Sequence, residues 1–482
     1  MHIFKSCVQA VDRAVDKFAK NDIVVSNCNI DGNKCSSMKS CSILKSHFPI
    51  KINCFIVLFL SFALVCSAQS KWKEDVAFLK NELPKKHVNF FFQLEQKKFE
   101  TELDALSLKI DEMNDVDIAL SLQKIIAKAG DSHTIVRYRQ LLDDNKRLPL
   151  QFYWFDDGIY VLSTTKRYEH LLGSRLEGIE NHPTPEITDS LATLITCDNN
   201  SWIKHNVPGI ISDTQVLSYF GFIQSNSSSI LISFTDINGK KLQENFVIGE
   251  KTDNLIDLIT KETPLFRQNP DKFFWDCYFD NGIYYVQYNV CMSKDVITDA
   301  IAEYGKEYVL SALGISETEL ERELERIPSF KDLTEKIFSV ANEKPVKRFV
   351  FDMRLNGGGS SDIGDNFIQL LKKNEMLNKK GVLYVIIGRN TFSSAMINTM
   401  NFINQTEAIT IGEETGAMPN HYGQVESFKL PNSGIIIQYS TKYFRYATEN
   451  LNTITPNIKV EYNFDDYLNG IDPAMNAILN DN

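Results

Sequence analysis

The chain has 482 residues, 43% of them hydrophobic and 23% charged. At roughly 100–200 residues per domain, that is room for two to four globular domains, and the composition excludes a mostly disordered chain. A formal net charge of -11 argues against a broad nucleic-acid footprint, which needs a basic surface. No apolar run reaches the length of a membrane span, about 18 residues or more.

The first feature in chain order is the apolar stretch CFIVLFLSFALVC at 54–66. It is too short to span a bilayer but suits the apolar part of a secretory signal. Lys39, Lys45 and Lys51 precede it, and Cys66-Ser67-Ala68 supply small residues for cleavage. A signal starting at Met38 has normal length, so 1–37 is expected to be a non-native extension and 38–68 the signal peptide. A membrane anchor with a short inner tail competes with this reading. Val65 is too bulky for the usual pattern before a lipid-bearing cysteine at Cys66.

Residues 1–68 hold 8 of the 51 basic and 4 of the 62 acidic residues, so the remainder carries a net charge of −15. Cys197, Cys277 and Cys291 alone remain, which is no disulfide framework, although Cys277 with Cys291 is one possible pair. CxxC, HExxH and tight His/Cys clusters are missing, so no metal and no cofactor is expected.

Residues 69–147 read as an N-terminal helical segment. Val76, Phe78 and Leu79, then Leu103, Leu106, Leu108 and Ile110, fall at helical spacing, and Gly130 is a plausible helix stop. Residues 148–265 read as a small β-rich module. Gln151–Phe155 and Ile159–Ser163 flank Asp156-Asp157-Gly158, a hairpin signal, and Ile230–Phe234 and Asn245–Ile248 are further strands. A helix is expected near Glu186–Ile195, and LGSRLEGIENHPTP at 172–185 looks PDZ-like.

From 266 to 482 strands and helices alternate. Ser316-x-x-Glu319 is a capping box, and a further helix is expected at Lys331–Val340. Arg348–Met353 reads as a strand leading to Gly357-Gly358-Gly359 and a helix at Ile363–Leu371. Val382–Gly388 leads likewise to Thr391-Phe392-Ser393-Ser394 and a helix at Ala395–Phe402, and Ala408–Gly412 is a third strand. This repetition implies parallel strands, whose carboxyl ends are where ligands bind.

Two turns at that edge can carry chemistry. The glycine turn is either an oxyanion hole or simply a tight turn; no Lys-Ser/Thr follows, so it is not a P-loop. Ser393 is either a nucleophile at a strand-to-helix turn or a helix N-cap. A serine nucleophile needs a base. The histidines after the signal are 87, 133, 170, 182, 205 and 421; His133 and His421 compete for the role.

The stretch Phe351-Asp352-Met353-Arg354-Leu355-Asn356-Gly357-Gly358-Gly359 resembles the D-x-R-x-N-x-G-G signature of the tail-specific, or C-terminal-processing, serine peptidases. Thr391-Phe392-Ser393-Ser394-Ala395 falls where that family has its nucleophile. Gly412-Glu413-Glu414-Thr415-Gly416 looks like its G-x-x-T-G turn, and Thr455–Val460 resembles its closing segment. Gly130-Asp131-Ser132-His133-Thr134 is similar to the D-x-H-T motif of the tricorn-core and retinoid-binding-protein-like branch. Met418 stands where many members carry a lysine, which disfavours a Ser-Lys dyad.

The resemblance implies an α/β fold with a crotonase-like (ββα-type) core. It also implies a secreted serine endopeptidase in which Ser393 attacks, His133 is the base, and Ser132 and Glu449 assist. Gly357, Gly358 and Ser394 would supply the oxyanion hole. The expected partner is a peptide or protein substrate, with no nucleic acid and no stable membrane span after signal removal. The expected location is periplasmic or extracellular. A non-catalytic binding protein for peptides or apolar ligands on the same fold is one alternative, and a peptide-binding or adhesion module is another. His133 lies 260 residues before Ser393, so the N-terminal part must fold onto the core to complete any such site.

Overall fold

The computed structural model describes residues 71–250 and 254–481. The expected extension and signal peptide lie outside the described residues. Helices cover 71–86, Gln96–Lys109 and Asp115–Ala127. Their buried faces follow the helical spacing in Val76, Leu79, Leu103 and Leu106, whereas Leu108 points to solvent.

An antiparallel sheet follows, in the order Leu150–Phe155, Gly158–Thr165, Arg175–Ile179, Ser229–Thr235, Lys241–Val247. Its first hairpin turns at Asp156-Asp157, with Gly158 at φ +148°. Strands alternate buried and exposed positions, as in Ser229–Thr235, because one face packs and the other is wetted. The helix expected near 186–195 runs over Thr184–Ala192. The apolar core of this sheet is continuous with that of the N-terminal helices across residue 147, and takes in Leu430 and Ile437 from far along the chain.

The second half is built on a six-stranded sheet. Its order is Ile458–Lys459, Ile409–Gly412, Leu383–Ile387, Arg348–Asp352, Ile283–Tyr288, Phe274–Tyr278. All neighbours are parallel except the last pair. Strands of this kind are apolar on both faces. Tyr284, Phe349, Phe351 and Val385 meet the helices Phe330–Glu343, Ser361–Leu371 and Ser394–Gln405. Tyr285, Val350 and Ile386 meet the helix Pro473–Asn480 on the other side. The chain is thus a mixed α/β protein.

A third sheet joins the halves. The hairpin His421–Lys429 with Ile436–Phe444 accepts the short strand Ile135–Val136 along its edge. Of the cysteines, Cys197, Cys277 and Cys291 are all free thiols. The Cys277–Cys291 pair that the spacing allowed is therefore not formed: Cys291 is buried with its Sγ donating to Asn356 Oδ1 at 3.4 Å.

Candidate active site

Ser393 sits where the strand Leu383–Ile387 has ended and the helix Ser394–Gln405 begins. The turn is fixed from below. Thr391 Oγ1 donates to Met353 O at 3.0 Å, and Phe392 N donates to Asn356 O at 3.1 Å. Ser393 has φ +53° and ψ −123°. A non-glycine residue in such a conformation costs on the order of 1–3 kcal/mol and persists only where its surroundings impose it. Its side chain makes no capping hydrogen bond, so the N-cap explanation for this serine does not hold.

The glycine turn packs against it. Gly358 has φ +105°, and a Cβ there would stand 2.7 Å from Ser393 Cβ and 3.1 Å from Ser394 N. Only glycine permits both the conformation and the approach. The Ser394 hydroxyl donates to Gly359 O at 2.7 Å and ties the turns together. The N–H of Gly358, however, donates to Asn356 Oδ1 at 2.9 Å. Of the three expected oxyanion donors, Gly358 is thus already occupied. Gly357 and Ser394 remain, the latter in the first turn of a helix, where N–H groups lack intrahelical partners.

His133 arrives from the other half. Its carbonyl accepts from Gln438 Nε2 at 2.9 Å, and the next residues pair with Gln438 and Ile437. The imidazole, 3% exposed, stacks on Phe392 at 4.6 Å and 25°. The ring of His421 lies on it at 5.9 Å and 18°. Trp202 continues the stack, 4.0 Å from Phe392 at 8°. His133 thus meets the Ser393 turn through the ring of the residue before the serine. A cleft of about 780 Å³ opens here, lined by Ser132, His133, Arg137, Trp202, Phe392 and Gln438 among others.

His421, the competing base, is buried, and its Nδ1 pairs with Met418 O at 3.0 Å. Burial pushes its pKa down. It packs behind His133 as part of the stack.

The third group of the expected relay differs. Glu449 is exposed, and its role in the fold is to offer a backbone carbonyl to Asn420 Nδ2 at 3.0 Å. The carboxylate beside His133 is instead Asp131. It is buried and accepts from His87 Nε2 at 2.9 Å, from His133 N at 3.0 Å and from Thr134 Oγ1. Its Oδ1 lies 3.9 Å from His133 Nδ1. Burial by itself would raise its pKa; the His87 hydrogen bond, the fields of His133 and His87, and Thr134 outweigh it and hold it at about 2. Asp131 was visible within the D-x-H-T motif, but nothing local marked it as a partner of the imidazole.

A second carboxylate, Asp198, touches the same loop. Its Oδ1 accepts from Ser132 N at 3.4 Å and its Oδ2 from Met418 N at 3.2 Å. It lies in Cys197-Asp198-Asn199-Asn200, a stretch without periodicity or motif.

No protein-family model and no curated protein sequence matches the chain. Solved structures do. Mature CPAF matches at TM-score 0.53 and 10% identity, covering 86% of this chain and 96% of that one. A CPAF serine-to-alanine mutant matches at 0.51 and 12%, covering 87% and 99%. The tricorn protease matches at 0.38 and 14%, covering 85% of this chain and 36% of that one. The chain therefore has the fold seen in CPAF.

Proposed function

We propose that this chain is a serine peptidase of the tail-specific family, in the tricorn-core branch, that hydrolyses peptide bonds through an acyl-enzyme. The observation that carries this is the Ser393 turn. A serine is held at φ +53°, its hydroxyl not used as a cap, against a glycine that leaves no room for a side chain.

In the mechanism, Ser393 Oγ attacks the peptide carbonyl carbon. His133 takes the hydroxyl proton as the O–C bond forms, then gives it to the leaving amine as the C–N bond breaks. Water, deprotonated by the same imidazole, hydrolyses the ester and returns the proton to Ser393. The N–H groups of Gly357 and Ser394 face the developing oxyanion, and Gly358 joins them if Asn356 Oδ1 releases it. Losing one such donor costs about 2.7–4 kcal/mol in the barrier. Asp131 holds the imidazole in orientation, the part first expected of Glu449. Catalytic contacts of this kind are often long without substrate and tighten when it binds, so the His133–Ser393 contact is expected to form in the substrate complex.

Under this reading the core is crotonase-like, the β-rich part PDZ-like, and the substrate a peptide or protein. The segment 38–68 would be removed on export to the periplasm or cell exterior. N-terminal sequencing of the exported protein is expected to begin at Gln69.

A second reading, a non-catalytic binding protein, is favoured by one observation. A cavity of about 350 Å³ is lined by Phe330, Ile363 and Phe367 and rimmed by Asp295, Asp299 and Glu303, with neither Ser393 nor His133 in its wall.

Reaction with a fluorophosphonate probe decides between the two. Labelling that is lost in Ser393→Ala and much reduced in His133→Ala is expected. A folded wild-type chain that stays unlabelled would overturn the peptidase reading.

A further inference from the structure

The segment 198–202 grips the site at successive points. Asp198 accepts one N–H from the base loop, at Ser132, and one from the turn at Met418. Asn199 Nδ2 donates to Thr415 O at 3.0 Å and to Asn452 O at 2.8 Å. Trp202 lies flat on Phe392, next to Ser393. Of these, Asp198 is the residue that reaches the base loop itself.

Its setting is unusual for a carboxylate. The residue keeps some exposure, but its carboxyl end is enclosed by protein. The titratable groups around it are Asp131 and His133 on the base loop, with His87 behind Asp131. His421 comes from the turn and Cys197 from its own segment. An enclosed carboxylate is retained at a cost that hydrogen bonding offsets, and here the N–H groups of Ser132 and Met418 supply it.

We infer that Asp198 is a positioning residue for the proposed relay. Its carboxylate ties the Ser132–His133 loop to the Met418 turn and so sets where the His133 ring stands against the Ser393 turn. This rests on the peptidase reading and adds to it the carboxylate that acts through Ser132.

The two neighbouring carboxylates separate in their titration. Asp131 is held at about 2. Enclosure first, and then the negative charge of Asp131, push Asp198 up to about 7, while the N–H groups of Met418 and Ser132 oppose the rise. Near neutral pH, Asp198 changes charge while Asp131 stays ionised. Ionised, it accepts both N–H bonds with charge assistance; protonated, it weakens them. The placement of His133 therefore follows the charge of Asp198.

The test is the rate of fluorophosphonate labelling of the full chain from pH 5 to 9, for wild type and Asp198→Asn. The wild-type rate is expected to rise through pH 7. Asp198→Asn is expected to label roughly ten to a hundred times more slowly at pH 8, the cost of a misplaced catalytic group, and to lose the part of the rise that wild type shows near 7. Its thermal midpoint is expected to stay level or rise, since the enclosed charge is gone. A labelling rate and pH profile equal to wild type would overturn the inference and leave the peptidase reading standing. A wild type that does not label takes down that reading, and the inference with it. If Asp198→Asn fails to fold, Asp198→Glu decides, because it keeps the charge and moves the carboxylate away from the N–H groups of Ser132 and Met418. A slower rate with an altered profile is then expected, and an unchanged rate and profile overturns the inference.

Discussion

The turn at Ser393 and the loop at His133 meet in one aromatic stack, yet they are held by different means. The Ser393 turn is built by its own neighbourhood. A parallel strand ends, Thr391 and Phe392 bond to the adjoining strand end, and a helix starts. The His133 loop shapes its own turn around Asp131, but its place against the Ser393 turn is set from elsewhere. It is pinned by Gln438, some 300 residues later, and by Asp198 from the β-rich part. The proposed nucleophile is thus placed by one βα unit, whereas the proposed base needs three separate stretches of chain to close around it.

That contrast can be broken from the local side first. Gly358→Ala is expected to have the largest effect. Its Cβ would meet Ser393 Cβ at 2.7 Å in a backbone at φ +105°. Labelling should fall by a factor on the order of 10²–10³, as for a lost oxyanion contact, with about 1–3 kcal/mol of stability lost to strain. An active Gly358→Ala would show that the glycine turn is no part of the site.

Asp131→Asn comes next and acts on the base loop. The folded-state pKa is depressed, so the stabilising contribution of Asp131 is present above its unfolded value of about 4 and is lost as pH falls toward 2. The variant should lose about 2 kcal/mol at neutral pH and show a flatter acid limb between pH 4 and 2 in chemical denaturation. Labelling should fall roughly a hundredfold, as when a base loses its orienting partner. An unchanged acid limb would remove Asp131 from the network.

Trp202→Ala removes the far face of the stack. Phe392 loses a partner at 4.0 Å, and a loss of about 2–3 kcal/mol is expected for a half-buried aromatic. Labelling should drop about tenfold through the loosened Phe392; melting and labelling curves together separate these effects. Glu449→Gln is expected to do least. The side chain is exposed, so stability should stay within about 0.5 kcal/mol and labelling near wild type. A large loss of labelling there would restore Glu449 to the relay.

Much of the second half was legible before its structure. The strands at 348–353, 382–388 and 408–412 and their helices came within a few residues of Arg348–Asp352, Leu383–Ile387 and Ile409–Gly412, because buried parallel strands are continuous apolar runs between turns. The Ser316 capping box was equally plain and forms as read. Leu108 was misjudged because helical spacing marks a face but not what covers it. Glu449 came only from the family resemblance, which carries no information about exposure, and the residue is exposed.

What the sequence determined by itself was the local part: the order of strands and turns, the glycines, and the serine between a strand and a helix. These follow from backbone preference and hydrophobic period, which act over a few residues. What only the tertiary structure decided was the company each group keeps. Asp131 lies beside His133 and His87, Asp198 bridges Ser132 to Met418, and Asn356 occupies the Gly358 N–H. Those contacts join residues tens to hundreds of positions apart. Enclosure, which sets their charges, arises only once the chain has closed around them.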